Sequence, residues 1–257
     1  MRRAPLLLLA ALALALAGCG DDGGSGSGGD AEPRLTVSAA ASLKGAFEAY
    51  GEEFPDATAR FSFAGSDELA AQIRKGVKPD VLAAANTKLP DQLHAEGRVG
   101  KPTIFAGNRL VLAVPADSAR VGSLDDLAEP GVELAVGAES VPVGSYTREV
   151  LGRLPTGEEK AILANVRSNE PDVKGVVGKL TQGAADAGFV YVTDVVATEG
   201  KVKAIELPAS LQPSVEYGVA VVKGAKEPEA ARAFIEGLTD GAGARALDDA
   251  GFEPPPK

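Results

Sequence analysis

From Arg34 onward, short apolar runs alternate with segments of helical period, and this alternation restricts the possible folds more than any other feature of the chain. RLTVSAA (34–40) is a strand candidate, and Leu43, Phe47, Tyr50 and Phe54 then recur at helical spacing. A second strand is expected at 61–64, before a helix through Leu69 and Ile73 that stops at Gly76. Further strands are expected at 80–85, 110–114, 133–136, 188–192, 203–207 and 217–222, with helical stretches between most of them. Such alternation predicts an α/β fold with largely parallel sheets. No internal repeat is evident. Two long apolar segments, NRLVLAVPADS and VEYGVAVVKG, bracket about a hundred residues with an alternation of their own. If these segments run side by side as crossovers, the chain between them is an inserted second lobe. The expected lobes are then 34–113 with 219–257, and 114–218, with a cleft between them.

Ahead of this region, MRRAPLLLLAALALALAGC reads as an export signal at 1–18. Arg2 and Arg3 supply the positive start, 6–17 the apolar stretch, and Leu16-Ala17-Gly18-Cys19 a small-residue cleavage site. The apolar stretch is short for a membrane-spanning helix. The site resembles a bacterial lipobox, which implies that Cys19 becomes the lipidated N-terminus and anchors the protein to the outer face of the cell membrane. Cys19 is the single cysteine, so an intramolecular disulfide is excluded. The glycine-rich, apolar-poor stretch from Gly20 reads as a flexible tether, making 19–33 the anchor and linker.

The formal charge is −10, and loss of Arg2 and Arg3 with the signal makes it −12. This argues against nucleic acid as a partner, and against membrane contact beyond the lipid. It also means that long-range attraction cannot supply affinity for an anion.

Yet several strand-to-helix turns have the chemistry of anion binding. In SAAASL, small residues separate a strand from a helix. The N–H groups there lack intrahelical partners, and the macrodipole adds positive potential. Ser42 is the expected N-cap of that helix. Comparable turns occur at Gly65 and Ser66 in FAGSDELAAQI, at Val143 and Gly144 in ESVPVGSYTREVL, and at RSNEPDVKGVV. In the last, Asn169 and Asp172 have capping-box spacing and Val173 falls in the first turn. Each turn taken singly reads as ordinary capping.

The ordered set SAAASL, FAGSDELAAQI, KPDVLAAANTK, GNRLVLAVP, AVGAESVPVGSYTREVL, EPDVKGVV and GFVYVTDV resembles the molybdate-binding proteins of bacterial ABC importers, over essentially all of 34–252. The resemblance implies the two-lobed type 2 periplasmic-binding-protein fold, with lobes joined by two crossover strands. It implies ligand contacts from the hydroxyls of Ser42 and Ser66, the backbone N–H groups of Val143 and Val173, and the hydroxyl of Tyr191. It further implies molybdate or tungstate as ligand, no cofactor and no resident metal, a monomer, and an ABC permease with its ATPase as partners. A cage of neutral donors would hold a dianion without lysine or arginine and disfavour hydrogen phosphate, whose proton would meet no acceptor. Two positions depart from the family pattern. Asp67 follows Ser66, where it is expected to favour the helix dipole and point to solvent; a carboxylate facing the cleft would instead repel a dianion and could accept the proton of hydrogen phosphate. Asn86 stands where acidic residues are common.

Rival readings are a binder of another oxyanion such as sulfate or phosphate, a sensor lipoprotein, an enzyme, and a transcriptional effector module. His94, the single histidine, lies in a polar helical segment, and no GxSxG, HExxH or P-loop occurs. GAGARA at 241–246 reads as a helix-associated turn. No basic helix suited to DNA is apparent.

Overall fold

A computed structural model describes residues 33–256 of the chain. The signal, Cys19 and the linker up to residue 32 lie outside the described residues. The strands are β1 (Arg34–Ala40), β2 (Thr58–Ala64), β3 (Val81–Ala84), β4 (Thr103–Asn108), β5 (Leu110–Pro115), β6 (Leu134–Gly137), β7 (Val166–Glu170), β8 (Ala187–Tyr191), β9 (Val202–Glu206) and β10 (Val215–Val221). The α-helices are α1 (Lys44–Glu53), α2 (Ser66–Arg74), α3 (Lys88–Ala95), α4 (Pro142–Leu151), α5 (Thr156–Ala164), α6 (Val173–Thr181), α7 (Val192–Val196), α8 (Pro228–Thr239) and α9 (Ala242–Asp249).

The strands form two five-stranded sheets, ordered β2-β1-β3-β10-β4 and β7-β6-β8-β5-β9. The two orders correspond position by position, although the sequence carries no repeat. In each sheet three strands are parallel, and the next strand, β10 or β5, runs against both its neighbours. The sheets are therefore mixed and not largely parallel as expected. The reason is topological: β5 and β10 enter their sheets directly from the other lobe, without the helical crossover that parallel neighbours require.

The apolar segments expected to run side by side instead part company at the crossover. Asn108 pairs with Val215 there, after which β5 lies wholly in the second sheet and β10 wholly in the first. The changes of lobe fall at Arg109 and between Glu206 and Val215, whereas boundaries at 113/114 and 218/219 would cut through β5 and β10.

Central strands are buried on both faces and read as unbroken apolar runs, as in VLAA of β3 and AGFVY of β8. Alternation then distributes their side chains: Val81 and Ala83 join the core under α1 and α8, while Leu82 packs with Leu69, Ile73 and Leu93 of α2 and α3. On the first face Phe47 and Phe234 are fully buried, with ring centroids 5.5 Å apart. Burying such a ring contributes about 1.5–3 kcal/mol. Buried Asp80 accepts from Thr36 N–H and Oγ1 and from the N–H groups of Lys226 and Glu227, tying β1 to the approach of α8. Burial raises its carboxyl, and these donors more than offset that, holding it below the usual carboxylate value.

Candidate functional site

The turns that follow β1, β2, β6 and β7, together with the end of β8, face each other between the lobes. Ser42, Ser66, Val143, Val173 and Tyr191 all line one cavity there, of about 230 Å³ including the part open to solvent. This is the carboxyl-end position at which open α/β sheets bind ligands. The lobes touch at its rim: a Cβ built on Gly65 would lie 2.5 Å from the Pro171 carbonyl oxygen and 3.3 Å from Val141 Cγ1. Only glycine permits that approach. A larger hollow near Lys101, Lys223 and Arg232, on the outside of the first sheet, gathers none of these turns.

On the first-lobe side the donors are hydroxyls, and each is aimed by a neighbour. Ser66 is the first residue of α2, with Gly65 as cap, and its Oγ accepts from Ala85 N–H at 3.0 Å. Its own proton is thereby left for the cleft. Ser42 is not the N-cap that its position suggested. It lies inside a 3₁₀ turn, Ala41–Leu43, because the chain tightens before α1 begins, and its hydroxyl meets Tyr217 OH at 2.9 Å.

Either hydroxyl can donate in that bond, and Asn108 at the crossover favours one direction. Asn108 Oδ1 accepts from Arg109 N–H, so its Nδ2 faces Tyr217 OH at 3.4 Å and Thr193 Oγ1 at 2.9 Å. A phenol oxygen can accept twice, so the amide alone does not fix the bond; with Tyr217 donating to Ser42 Oγ, the phenol proton finds an acceptor. Ser42 then has its own proton to give to the cleft.

On the second-lobe side the donors are mostly backbone. Val143 is the second residue of α4 after Pro142, and Val173 the first of α6, so the N–H of each lacks an intrahelical partner. The start of α4 is held tightly: a Cβ on Gly144 would lie 1.9 Å from the Ala138 carbonyl oxygen. At α6 the expected capping box is replaced by a simpler arrangement. Asp172 is itself the cap, accepting from Gly175 N–H at 3.0 Å, while Asn169 belongs to β7. Asp172 also lines the cavity, and this bond commits its Oδ1 to the helix.

Tyr191 completes the set. Its hydroxyl is buried with no hydrogen-bond partner, and burial, reinforced by Tyr217, Tyr146 and Asp194, pushes it well above the usual phenol value. It therefore keeps its proton and is a donor awaiting an acceptor. Behind it, fully buried Asp194 pairs with Lys174 Nζ at 2.8 Å. No basic side chain lines the cavity among the described residues. Nor does any group of three or more His, Cys, Asp or Glu there suit a metal ion.

Asp67 departs from expectation. Its Oδ1 does not reach solvent but is buried without a partner beside Gly65. Asn86 Oδ1 accepts from Leu89 N–H at the start of α3. His94 is exposed on α3 and Gly241 caps α9, in line with the structural roles read for them. Sequence reasoning missed Tyr217, Asn108 and the Lys174–Asp194 pair. Tyr217 is hidden in an apolar run, and the other contacts join residues whose separation follows no local period.

Residues 35–253 match the family described as bacterial extracellular solute-binding protein. The chain belongs to that family. This solute-binding protein is 38% identical over 227 residues to the molybdate-binding protein ModA of Mycobacterium tuberculosis, covering 86% of this chain and 85% of that one. It is 31% identical over 236 residues to ModA of Haemophilus influenzae, covering 86% and 91%. The periplasmic molybdate-binding protein of Azotobacter vinelandii shares its fold, with a TM-score of 0.77 at 22% identity over 86% of this chain and all of that one. The resemblance and the two-lobed fold read from the motifs are borne out. Membership of an extracellular family makes the chain an exported protein, and no described helix is long and apolar enough to cross a membrane.

Proposed function

We propose that this protein captures molybdate or tungstate in the cleft between its lobes and delivers it to an ABC permease and its ATPase. The observation that carries the reading is the convergence of Ser42, Ser66, Val143, Val173 and Tyr191 on one cavity. Ser66 Oγ already accepts from Ala85 N–H, Ser42 Oγ is paired with Tyr217 OH, the two valines and Tyr191 offer donors, and Asp172 Oδ1, the acceptor in the lining, is engaged with Gly175 N–H.

Hydrogen bonds to a charged group contribute about 1.5–3 kcal/mol each, so several together reach the range of micromolar to nanomolar affinity. The polarity also explains how an acidic protein holds a dianion, since the donors act at contact distance and not through the long-range field. A fully deprotonated anion satisfies such a cage, whereas the proton of hydrogen phosphate would meet another donor. Because the donors come from both lobes, the anion stabilises the closed state and shifts the population toward it. The anion is cargo, neither cofactor nor substrate of a reaction, and the protein acts as a monomer. Cys19, in its lipobox-like segment, would hold it at the outer face of the cell membrane beside the permease.

A thermal-shift panel of molybdate, tungstate, sulfate, phosphate and small organic anions tests this. A ligand at a hundred times its Kd stabilises by about 2.7 kcal/mol. Molybdate and tungstate are expected to raise the Tm most and phosphate least. An organic anion outranking both, or no response to either, would overturn the reading.

A further inference from the structure

Asp67 is the second residue of α2, directly after Ser66, and its Oδ1 is buried with no hydrogen-bond partner. It lies at the seam between the lobes. The point where a Gly65 Cβ would stand is 2.9 Å from Asp67 Oδ1 on one side and 2.5 Å from the Pro171 carbonyl oxygen on the other. Two acceptors from opposite lobes thus flank one gap. The other acidic side chains nearby differ: Glu68 is exposed, and Asp172 is engaged with Gly175 N–H.

An open cleft would leave Asp67 hydrated. Closing strips water from Oδ1 and supplies no donor in exchange, which disfavours the closed state. The positive end of α2 acts on Asp67 whether the cleft is open or shut, so it does not offset this penalty.

We infer that Asp67 is a counterweight to closure, which loosens the grip on the bound anion and speeds its release to the next component. The ligand arm of the inference rests on the oxyanion reading above; the conformational arm does not. Asp67→Asn keeps the size of the side chain and adds an N–H₂ able to donate toward the Pro171 carbonyl.

The test measures the distance between spin labels at Glu48→Cys on α1 and Lys160→Cys on α5, both exposed and on different lobes, in a Cys19→Ser background without ligand. Asp67→Asn is expected to raise the closed fraction. Gly65→Ala, whose methyl would press on Pro171, should lower it. Calorimetry and stopped-flow with molybdate should then show at least tenfold tighter binding by Asp67→Asn, chiefly through slower dissociation. A gain of this kind cannot come from damaged folding. A closed fraction in Asp67→Asn equal to or below that of the wild type overturns the inference, whatever the affinity does. A wild-type protein indifferent to molybdate would instead count against the choice of ligand, and the distance measurement would still decide the role of Asp67.

Discussion

The two walls of the cleft are built from corresponding places in corresponding sheets, yet they present different chemistry. In the first lobe the turns after β1 and β2 offer the hydroxyls of Ser42 and Ser66. In the second, the matching turns after β6 and β7 offer Val143 and Val173, whose apolar side chains are buried and whose backbone N–H groups remain. A hydroxyl must be supplied by the right residue and aimed by a partner, here Tyr217 and Ala85 N–H. A helix-terminal N–H is supplied by any residue except proline and is aimed by how the helix start is packed. The first wall therefore depends on side-chain identity, and the second on what fixes α4, α6 and α7 in place.

The strongest way to break the second wall is to remove its ionic support. Lys174, in the first turn of α6, pairs at 2.8 Å with Asp194 of α7, which is fully buried and has an unpartnered Oδ2. Lys174→Met leaves that carboxylate unpaired, and since Lys174 is partly exposed, the low end of the usual range applies, a loss of about 3 kcal/mol near neutral pH. Burial raises the carboxyl of Asp194, and Lys174 opposes the rise. A carboxyl raised in the folded state binds its proton more tightly there than when unfolded. Its contribution is thus most favourable at low pH and declines as pH rises through the folded value. The variant's deficit should shrink as the pH of urea titrations is lowered toward about 4. A deficit constant with pH would mean that uncompensated charge is not its cause.

Next in size is the first wall's own chemistry. In the proposed oxyanion site, Ser42→Ala and Ser66→Ala would each remove a donor to a buried charge, and each should weaken molybdate binding tenfold or more by calorimetry. Tyr217→Phe removes only the partner that aims Ser42, so its effect on affinity should be smaller. It should also improve hydrogen phosphate relative to molybdate, because Ser42 Oγ is then free to accept. Unchanged affinity in Ser42→Ala would remove that residue from the site.

The same contrast explains what the sequence made legible. Turns are local: a strand, a small residue and a helix start lie within a dozen positions, so Ser42, Ser66, Val143 and Val173 could be found by pattern. Their convergence came from the order of motifs, which resemblance supplied and spacing did not. Edge strand β7, VRSNE, alternates between partly buried and exposed positions and was read as the approach to a helix. Strand β4 was not read as a strand of its own, and Arg109 alone separates it from β5. The aiming partners were not legible, since Ser42 and Tyr217 lie 175 positions apart and meet only through the crossover.

Tyr191 is the exception on the second wall, a side-chain donor among backbone donors, and it is unpartnered. Tyr191→Phe should therefore move two measurements in opposite directions. Without ligand the fold should be unchanged or stabilised by up to about 1 kcal/mol, since an unsatisfied buried hydroxyl is removed. Molybdate affinity should fall about five- to tenfold for loss of the donor. A fall in both would mean that Tyr191 OH has a partner in the ligand-free protein.

The smallest effect is expected at Val143. Its Cγ1 packs against Gly137, where an added Cβ would lie 2.6 Å away, and the side chain serves the wall by holding α4 in place. Val143→Ala retains the N–H and the helix start fixed by Pro142 and Gly144. Affinity for molybdate should therefore change by less than about threefold, roughly 0.6 kcal/mol. Calorimetry on this variant beside Ser42→Ala tests the division between the walls directly. A loss at Val143 as large as at Ser42 would show that the second wall, too, is specified by its side chains, with packing and not helix geometry aiming the N–H.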